Sequence, residues 1–157
     1  MRIALGIEYD GSKFCGWQRQ MNVNSVQQTV EEVISKVADM PIRLYVAGRT
    51  DTGVHATEQI VHFDSSKERD LKAWVMGSNT YLPNSISVLW AKVVTKDFHA
   101  RYSAQARRYR YVILNRPTRP ALLDNKATWV FQSLEIATMQ QAANYLEGKH
   151  DFSSYRA

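Results

Sequence analysis

The sequence has 157 residues, of which 45% are hydrophobic and 11% are aromatic, and a formal net charge of +5. This composition excludes intrinsic disorder and is sufficient for one ordinary hydrophobic core. Because Glu8 interrupts the apolar N-terminal run before a signal-peptide core or a membrane span could form, the sequence predicts a cytoplasmic protein.

Strand and helix patterns alternate along the first part of the chain. A near-continuous apolar run predicts a strand over residues 2–9, and the capping-box spacing of Ser25 and Gln28 predicts a helix that ends near Pro41. The elements predicted next are strands over 42–47 and 59–63, a helix capped by Asp70 and ended by Pro83, and a strand over 86–94 that is apolar on both faces and therefore central in its sheet.

This order of strand, helix, strand, strand, helix and strand predicts an α+β, ferredoxin-like fold, in which an antiparallel sheet carries both helices on one face. We therefore expect a ferredoxin-like N-terminal domain over 1–104 and the incomplete start of a second α+β half over 105–157. The elements predicted for this second part are a basic strand over 107–114, a short strand over 127–131, and a helix that ends at Gly148. The residues of this helix predicted to point inward are Ile136, Met139, Ala143 and Leu146.

The arginines are unevenly distributed along the chain. Six of the twelve lie between positions 101 and 119, and this interval contains no Asp or Glu. Guanidinium groups bind phosphate through two donors and stack on bases, so the cluster favours a nucleic-acid ligand over a merely solvated surface, which would normally interleave acidic residues. The six residues are Arg101, Arg107, Arg108, Arg110, Arg116 and Arg119.

The loop over residues 47–56 combines two glycines with an arginine, a carboxylate and two hydroxyl groups. Glycines allow backbone conformations that other residues resist, and loops of this kind often carry function. Asp51 is therefore a candidate catalytic carboxylate, with Arg49 close to it in sequence. The alternative is that the Asp51 side chain only hydrogen-bonds its own loop, as an Asx turn or a helix cap.

Three other chemistries fit the sequence poorly. Asp51-Thr52-Gly53 is the tripeptide of aspartic proteases, but that mechanism needs two such carboxylates sharing a proton, and Arg49 would oppose the shared proton. The histidines and the single Cys15 lack the spacing of a metal site, and Cys15 is expected to be a small buried residue. The sequence has no Gly-x-x-x-x-Gly-Lys motif for the phosphates of ATP.

Six short motifs are spread over essentially the whole chain. They are Glu8-Tyr9-Asp10-Gly11-Ser12, Gly16-Trp17-Gln18-Arg19-Gln20, the loop from Ala47 to Ala56, Phe98-His99-Ala100-Arg101, Arg107-Arg108-Tyr109-Arg110-Tyr111 and Asp151-Phe152-Ser153-Ser154-Tyr155. Together, and in this order, they resemble the landmarks of the TruA-type tRNA pseudouridine synthases.

The resemblance implies roles for particular residues. Asp51 would be the catalytic aspartate, Arg49 would help to extrude the target nucleotide, and Tyr109 would stack on the flipped uracil. The substrates would be uridines at positions 38 to 40 of the tRNA anticodon stem-loop, and relatives are typically homodimers. Members of the family continue into a second half that closes the cleft, so this fragment alone is expected to be inactive. The residues predicted to bind the RNA backbone are Arg101, Arg107, Arg108 and Arg110.

Conversion of uridine to pseudouridine breaks the bond between C1′ and N1, turns the base and rejoins it through C5. No atom is gained or lost, so the reaction needs no redox cofactor, nucleotide or metal. It needs a nucleophile or electrostatic partner for the ribose or base, and a single ionised carboxylate is the right kind of group. Attack at C1′, attack at C6 and assistance to an elimination all stay open. The alternative class is a non-enzymatic RNA-binding module of the RRM type, whose strand signature has a glycine that the segment over 108–112 lacks.

Overall fold

The computed structural model describes residues 1–155, which form two compact units. The first unit is Met1–Tyr109, and the second begins at Arg110. This division falls shortly after the boundary expected at position 104. No helix in the described part of the chain is long and apolar enough to cross a membrane.

The first unit is a mixed α/β structure built on a four-stranded antiparallel sheet, which confirms the coarse fold prediction. In chain order its elements are β1 (Arg2–Tyr9), α1 (Val26–Ala38), β2 (Tyr45–Val46), β3 (Ala56–Asp64), α2 (Leu71–Tyr81) and β4 (Ile86–Val94). The strands lie in the order β2-β3-β1-β4, so β1 pairs with both β3 and β4.

Both helices of this unit begin at the predicted caps. The Ser25 hydroxyl accepts a hydrogen bond from the N–H of Gln28 at 3.3 Å, and the Asp70 carboxylate accepts one from the N–H of Lys72 at 2.7 Å. Such side-chain acceptors satisfy N–H groups that have no partner within the helix. The sequence signals for helix initiation are therefore confirmed.

The core lies between the sheet and the two helices, which pack against each other. Trp74 of α2 meets the ring of Phe63 edge-on, with 5.1 Å between the centroids. Cys15 does not belong to this core, because it is exposed and not buried as expected. The main apolar contributors from β1 and α1 are Ile3, Leu5, Ile7, Val26, Val30 and Ile34.

The prediction that the strand over 86–94 is central is wrong, because β4 forms an edge of the sheet. Ile86 and Val88 are buried, whereas Leu89 and Val93 are 43% and 56% exposed. Val93 pairs with the core residue Ile3, and the register of β4 with β1 shifts at Leu89, so burial decreases along the strand and does not divide between two apolar faces. The exposed apolar residues reflect the preference of strands for such side chains, not burial on both faces.

The strand predicted directly after α1 forms only at Tyr45–Val46. Ile42 and Leu44 are buried as strand residues would be, but their N–H groups donate to side chains of α1 and not to a neighbouring strand. The acceptors are the Ser35 hydroxyl, at 2.9 Å from Ile42 N, and the Glu31 carboxylate, at 3.0 Å from Leu44 N. These side chains take the place of the backbone hydrogen bonds that a neighbouring strand would otherwise provide.

The second unit contains a two-stranded parallel sheet and a helix, formed by β5 (Ile113–Asn115), β6 (Thr128–Val130) and α3 (Ile136–Asn144). Within the range 107–114 predicted as a basic strand, only Ile113 and Leu114 belong to a strand. The prediction is therefore wrong for the arginines, which lie outside any strand. The inward direction predicted for the helix residues is also wrong, since Ile136, Met139 and Leu146 are 78%, 43% and 62% exposed and Ala143 is exposed as well. Two short strands and one helix are too few elements to enclose a core.

Candidate active site

The loop between β2 and β3 packs against the segment that follows β1. A Cβ atom on Gly11 would collide with the carbonyl oxygen of Val54, and one on Gly16 would lie 2.7 Å from the carbonyl oxygen of Thr50. Gly16 also has a φ of +79°, a conformation that favours glycine. The two glycine-containing motifs near the N-terminus are therefore in close backbone contact with the candidate catalytic loop and support it.

Hydrogen bonds fix the loop to the same segment. The N–H of Trp17 donates to the carbonyl oxygen of Thr50 at 2.9 Å, and the N–H of Gly53 donates to that of Phe14 at 3.3 Å. The buried hydroxyl of Tyr9 lies 2.8 Å from the Thr50 hydroxyl. Burial raises the pKa of Tyr9 above its ordinary value, so its phenol is protonated at neutral pH and can serve as a hydrogen-bond donor.

Asp51 is exposed, and its carboxylate forms no hydrogen bond or ion pair with the residues that the structure describes. The bond that closes the loop runs from the N–H of Val54 to the main-chain oxygen of Asp51, at 3.2 Å. An Asx turn or cap would use the side-chain oxygen instead. The alternative in which Asp51 only caps its own loop therefore has no supporting contact.

A cleft of about 1050 Å³ opens beside the loop. Its walls carry five arginines and one acidic residue, Glu31. The Glu31 carboxylate is already occupied, because it accepts hydrogen bonds from Leu44 N–H at 3.0 Å and from the Gln27 amide at 2.9 Å, and Arg19 lies 3.4 Å away. The cleft is therefore positively charged and suited to an anion. The five arginines are Arg19, Arg43, Arg49, Arg101 and Arg107.

Arg107 and Tyr109 lie beside the start of the loop, at Ala47 and Gly48. The Arg107 guanidinium donates to the carbonyl oxygen of Ala47 at 2.9 and 2.6 Å and to that of Arg101 at 3.2 Å. A Cβ on Gly48 would lie 3.2 Å from Arg107 Nε and 3.5 Å from the Tyr109 hydroxyl. Arg107 thus joins two backbone segments of the cleft, while the Tyr109 side chain is 69% exposed.

The structure brings together four of the residues predicted from the sequence. Asp51 lies two positions after Arg49 in the same loop but is not part of the cleft lining. Arg108 is exposed outside the lining, and Arg110 belongs to the second unit. The four that line one cleft are Arg49, Arg101, Arg107 and Tyr109.

Several lining residues were missed by sequence reasoning. Arg19 and His99 stand in motifs that carried the family resemblance, and this was the available signal for them. Nothing in the sequence indicated Arg43 and Tyr45, because only the fold brings them into the lining of the cleft. Among residues 1–155, no three His, Cys, Asp or Glu side chains lie close enough together to hold a metal ion. The missed residues are Arg19, Arg43, Tyr45, His99 and Tyr102.

His62, on β3, is a buried histidine whose ring contacts the cleft residue His99. Its Nδ1 accepts a hydrogen bond from the N–H of Ala100 at 3.1 Å. Burial, together with the charges of His99 and Arg2, lowers the pKa of His62 from 6.5 to about 4, against an opposing attraction from Asp64. The ring is therefore neutral at physiological pH.

We expect His62 to make stability depend on pH. Between pH 6.5 and about 4 the unfolded chain binds a proton that the folded chain does not, so the free energy of unfolding should fall by up to about 3 kcal/mol as the pH decreases. Urea unfolding of the full-length protein at several pH values measures this loss. His62→Asn keeps an acceptor for Ala100 but cannot titrate, so it should show a flatter dependence. An equally steep dependence in that variant would contradict the prediction.

Comparison with known proteins identifies the family. A family model described as tRNA pseudouridine synthase matches residues 6–103, which include the candidate catalytic loop. Relatives named tRNA pseudouridine synthase A are 57% identical over 157 residues in Pseudoalteromonas atlantica, 54% over 156 in Colwellia psychrerythraea and 54% over 157 in Vibrio cholerae. The matches cover 99–100% of this chain, and the chain spans 60% of the length of each relative. The chain therefore belongs to the tRNA pseudouridine synthase family, and within it to the TruA type.

Proposed function

We propose that the protein containing this chain isomerises uridine to pseudouridine at positions 38 to 40 of the tRNA anticodon stem-loop, with Asp51 as the catalytic carboxylate. The observation that carries this proposal is the exposed Asp51 carboxylate, which has no partner among residues 1–155 and follows Arg49 of the arginine-lined cleft. The name of the relatives, tRNA pseudouridine synthase A, supports a tRNA substrate.

The site offers a group for each need of the reaction. Extruding a nucleotide from its stack costs a few kcal/mol, and stacking of the uracil on Tyr109 returns about 1–3 kcal/mol. The Arg49 guanidinium can occupy the vacated space. Asp51 then assists cleavage of the bond between C1′ and N1, and the turned base rejoins C1′ through C5, whose proton is released while N1 gains one. Attack at C1′, attack at C6 and elimination all require a carboxylate at this place.

The arginines have different roles in this proposal. Arg101 faces the cleft and can bind phosphate together with Arg19 and Arg43. Arg107 contributes its charge to the cleft, but its donors are directed to two carbonyl groups, so it chiefly positions the neighbouring backbone. Arg108 and Arg110 are proposed RNA contacts on the basis of the acid-free arginine cluster alone.

The proposal concerns the whole protein, because this chain spans 60% of the length of its relatives. We assign residues 1–104 to a ferredoxin-like catalytic domain, supported by the strand order β2-β3-β1-β4 with a helix after β1 and another after β3. Residues 105–157 would begin a second α+β half. The complete enzyme would be a cytoplasmic homodimer that needs no cofactor, and the 157-residue chain alone would be inactive.

Release of tritium from tRNA labelled at uridine C5 tests the proposed function. The full-length protein should release label from transcripts with uridine at positions 38 to 40, and none from transcripts in which these positions carry cytidine. The 157-residue chain alone should release none from either. A protein that binds tRNA but leaves all label in place would instead be an RNA-binding module, and this result would reject the isomerase assignment.

A further inference from the structure

Four aromatic rings of the first unit form a continuous series, in which three rings line the cleft and the fourth is buried beside them. The rings of Tyr45 and His62 stack with centroids 5.0 Å apart, His62 and His99 meet at 4.7 Å, and His99 and Tyr102 meet at 4.4 Å. His62, within the series, is 1% exposed, whereas Tyr45 and Tyr102 at its two ends are 43% and 77% exposed. Tyr102 therefore rests on rings that are anchored in the interior.

The turn that carries Tyr102 is held by its own hydrogen bonds. The N–H of Ser103 donates to the carbonyl oxygen of His99 at 2.7 Å, and the N–H of His99 donates to the Ser103 hydroxyl at 3.0 Å. The N–H of Arg101 donates to His99 Nδ1 at 3.2 Å, which fixes the ring beneath Tyr102. An exposed aromatic ring that is already ordered loses little conformational entropy when a ligand stacks on it.

We propose that Tyr102 forms a binding site for a second unpaired nucleobase of the RNA, separate from the place of the extruded uridine on Tyr109. The Arg101 guanidinium lies 5.7 Å from the centroid of the Tyr102 ring, where it can contact the phosphate of the stacked nucleotide. Both tyrosines line the same cleft, whose volume of about 1050 Å³ is at the top of the range for small-molecule sites and has room for more than one nucleotide. This inference rests on the proposed function.

The test combines Tyr102 variants of the full-length protein with anticodon stem-loop RNAs that each lack one base in the loop. If a base stacks on Tyr102, removing that base or removing the ring should each weaken binding, and removing both should weaken it no further than removing one. One abasic position other than the target uridine should reduce wild-type affinity about 5- to 150-fold, the range for one stack on an aromatic ring. Tyr102→Ala should bind that RNA and the intact RNA equally, and Tyr102→Phe should resemble the wild type.

Tyr81→Ala is the matched control. Tyr81 is 52% exposed on α2, its ring is covered by the Lys36 ammonium at 3.7 Å, and it does not line the cleft, so the variant should keep the wild-type pattern. If Tyr102→Ala shows the wild-type penalty at every abasic position while the wild type releases tritium, the stacking site is overturned and the proposed function stands. A wild type that neither binds the stem-loop nor releases tritium overturns both.

Discussion

Replacement of Asp51 by Asn should abolish tritium release from C5-labelled tRNA by the full-length protein. The amide has nearly the same shape as the carboxylate but cannot act as an anionic nucleophile or base, so kcat should fall on the order of 10⁴-fold or more. Stability and tRNA affinity should stay close to the wild-type values, because the side chain is exposed and forms no hydrogen bond with the described residues. Single-turnover label release and filter binding measure the two properties separately.

Asp39→Asn provides a control with the same change of charge. Asp39 has a φ of 53° at the end of α1, a left-handed position where Asn is well tolerated. This variant should retain full activity and normal affinity. Substantial turnover by Asp51→Asn would remove the catalytic role from Asp51, and loss of tRNA binding in that variant would assign the residue to ground-state binding instead.

Local patterns were sufficient to predict the elements around the site. β1 and β4 occupy the predicted ranges, and α1 and α2 begin at their predicted caps. These features depend on residues that are neighbours in sequence, such as Ser25 and Gln28. The candidate loop was recognisable for the same reason, because Gly48 and Gly53 enclose Asp51 within a few positions.

Features that depend on distant residues could not be predicted in this way. β2 is short because the Glu31 carboxylate of α1 takes the N–H of Leu44, a competition that the strand's own residues do not reveal. The edge position of β4 depends on the order of all four strands. The hydrogen bonds of Arg107 to the carbonyl groups of Ala47 and Arg101 depend on the fold as well, because residues distant in sequence are brought together there.

Gly16→Ala should have the second large effect, because it would displace the loop that carries Asp51. A Cβ on Gly16 would lie 2.7 Å from the carbonyl oxygen of Thr50 and 3.1 Å from the carbonyl carbon of Asp51. The φ of +79° adds about 1–2 kcal/mol of strain for an L side chain. Because backbone must move, we expect a loss of about 2–4 kcal/mol in stability, and a shift of about 1 Å would lower turnover about 100-fold.

Gly53→Ala separates backbone strain from displacement of the loop. Gly53 has a φ of +78°, nearly that of Gly16, but no heavy atom of the described chain outside its immediate neighbours lies within 4 Å of the Cβ position. Both substitutions incur the same strain, and only Gly16→Ala adds the collision with Thr50. Thermal unfolding and tritium release of the full-length variants should therefore show a loss of about 1–2 kcal/mol and a smaller decrease in turnover for Gly53→Ala. Equal decreases in turnover would mean that strain in the loop, and not its support by Gly16, controls the position of the Asp51 carboxylate.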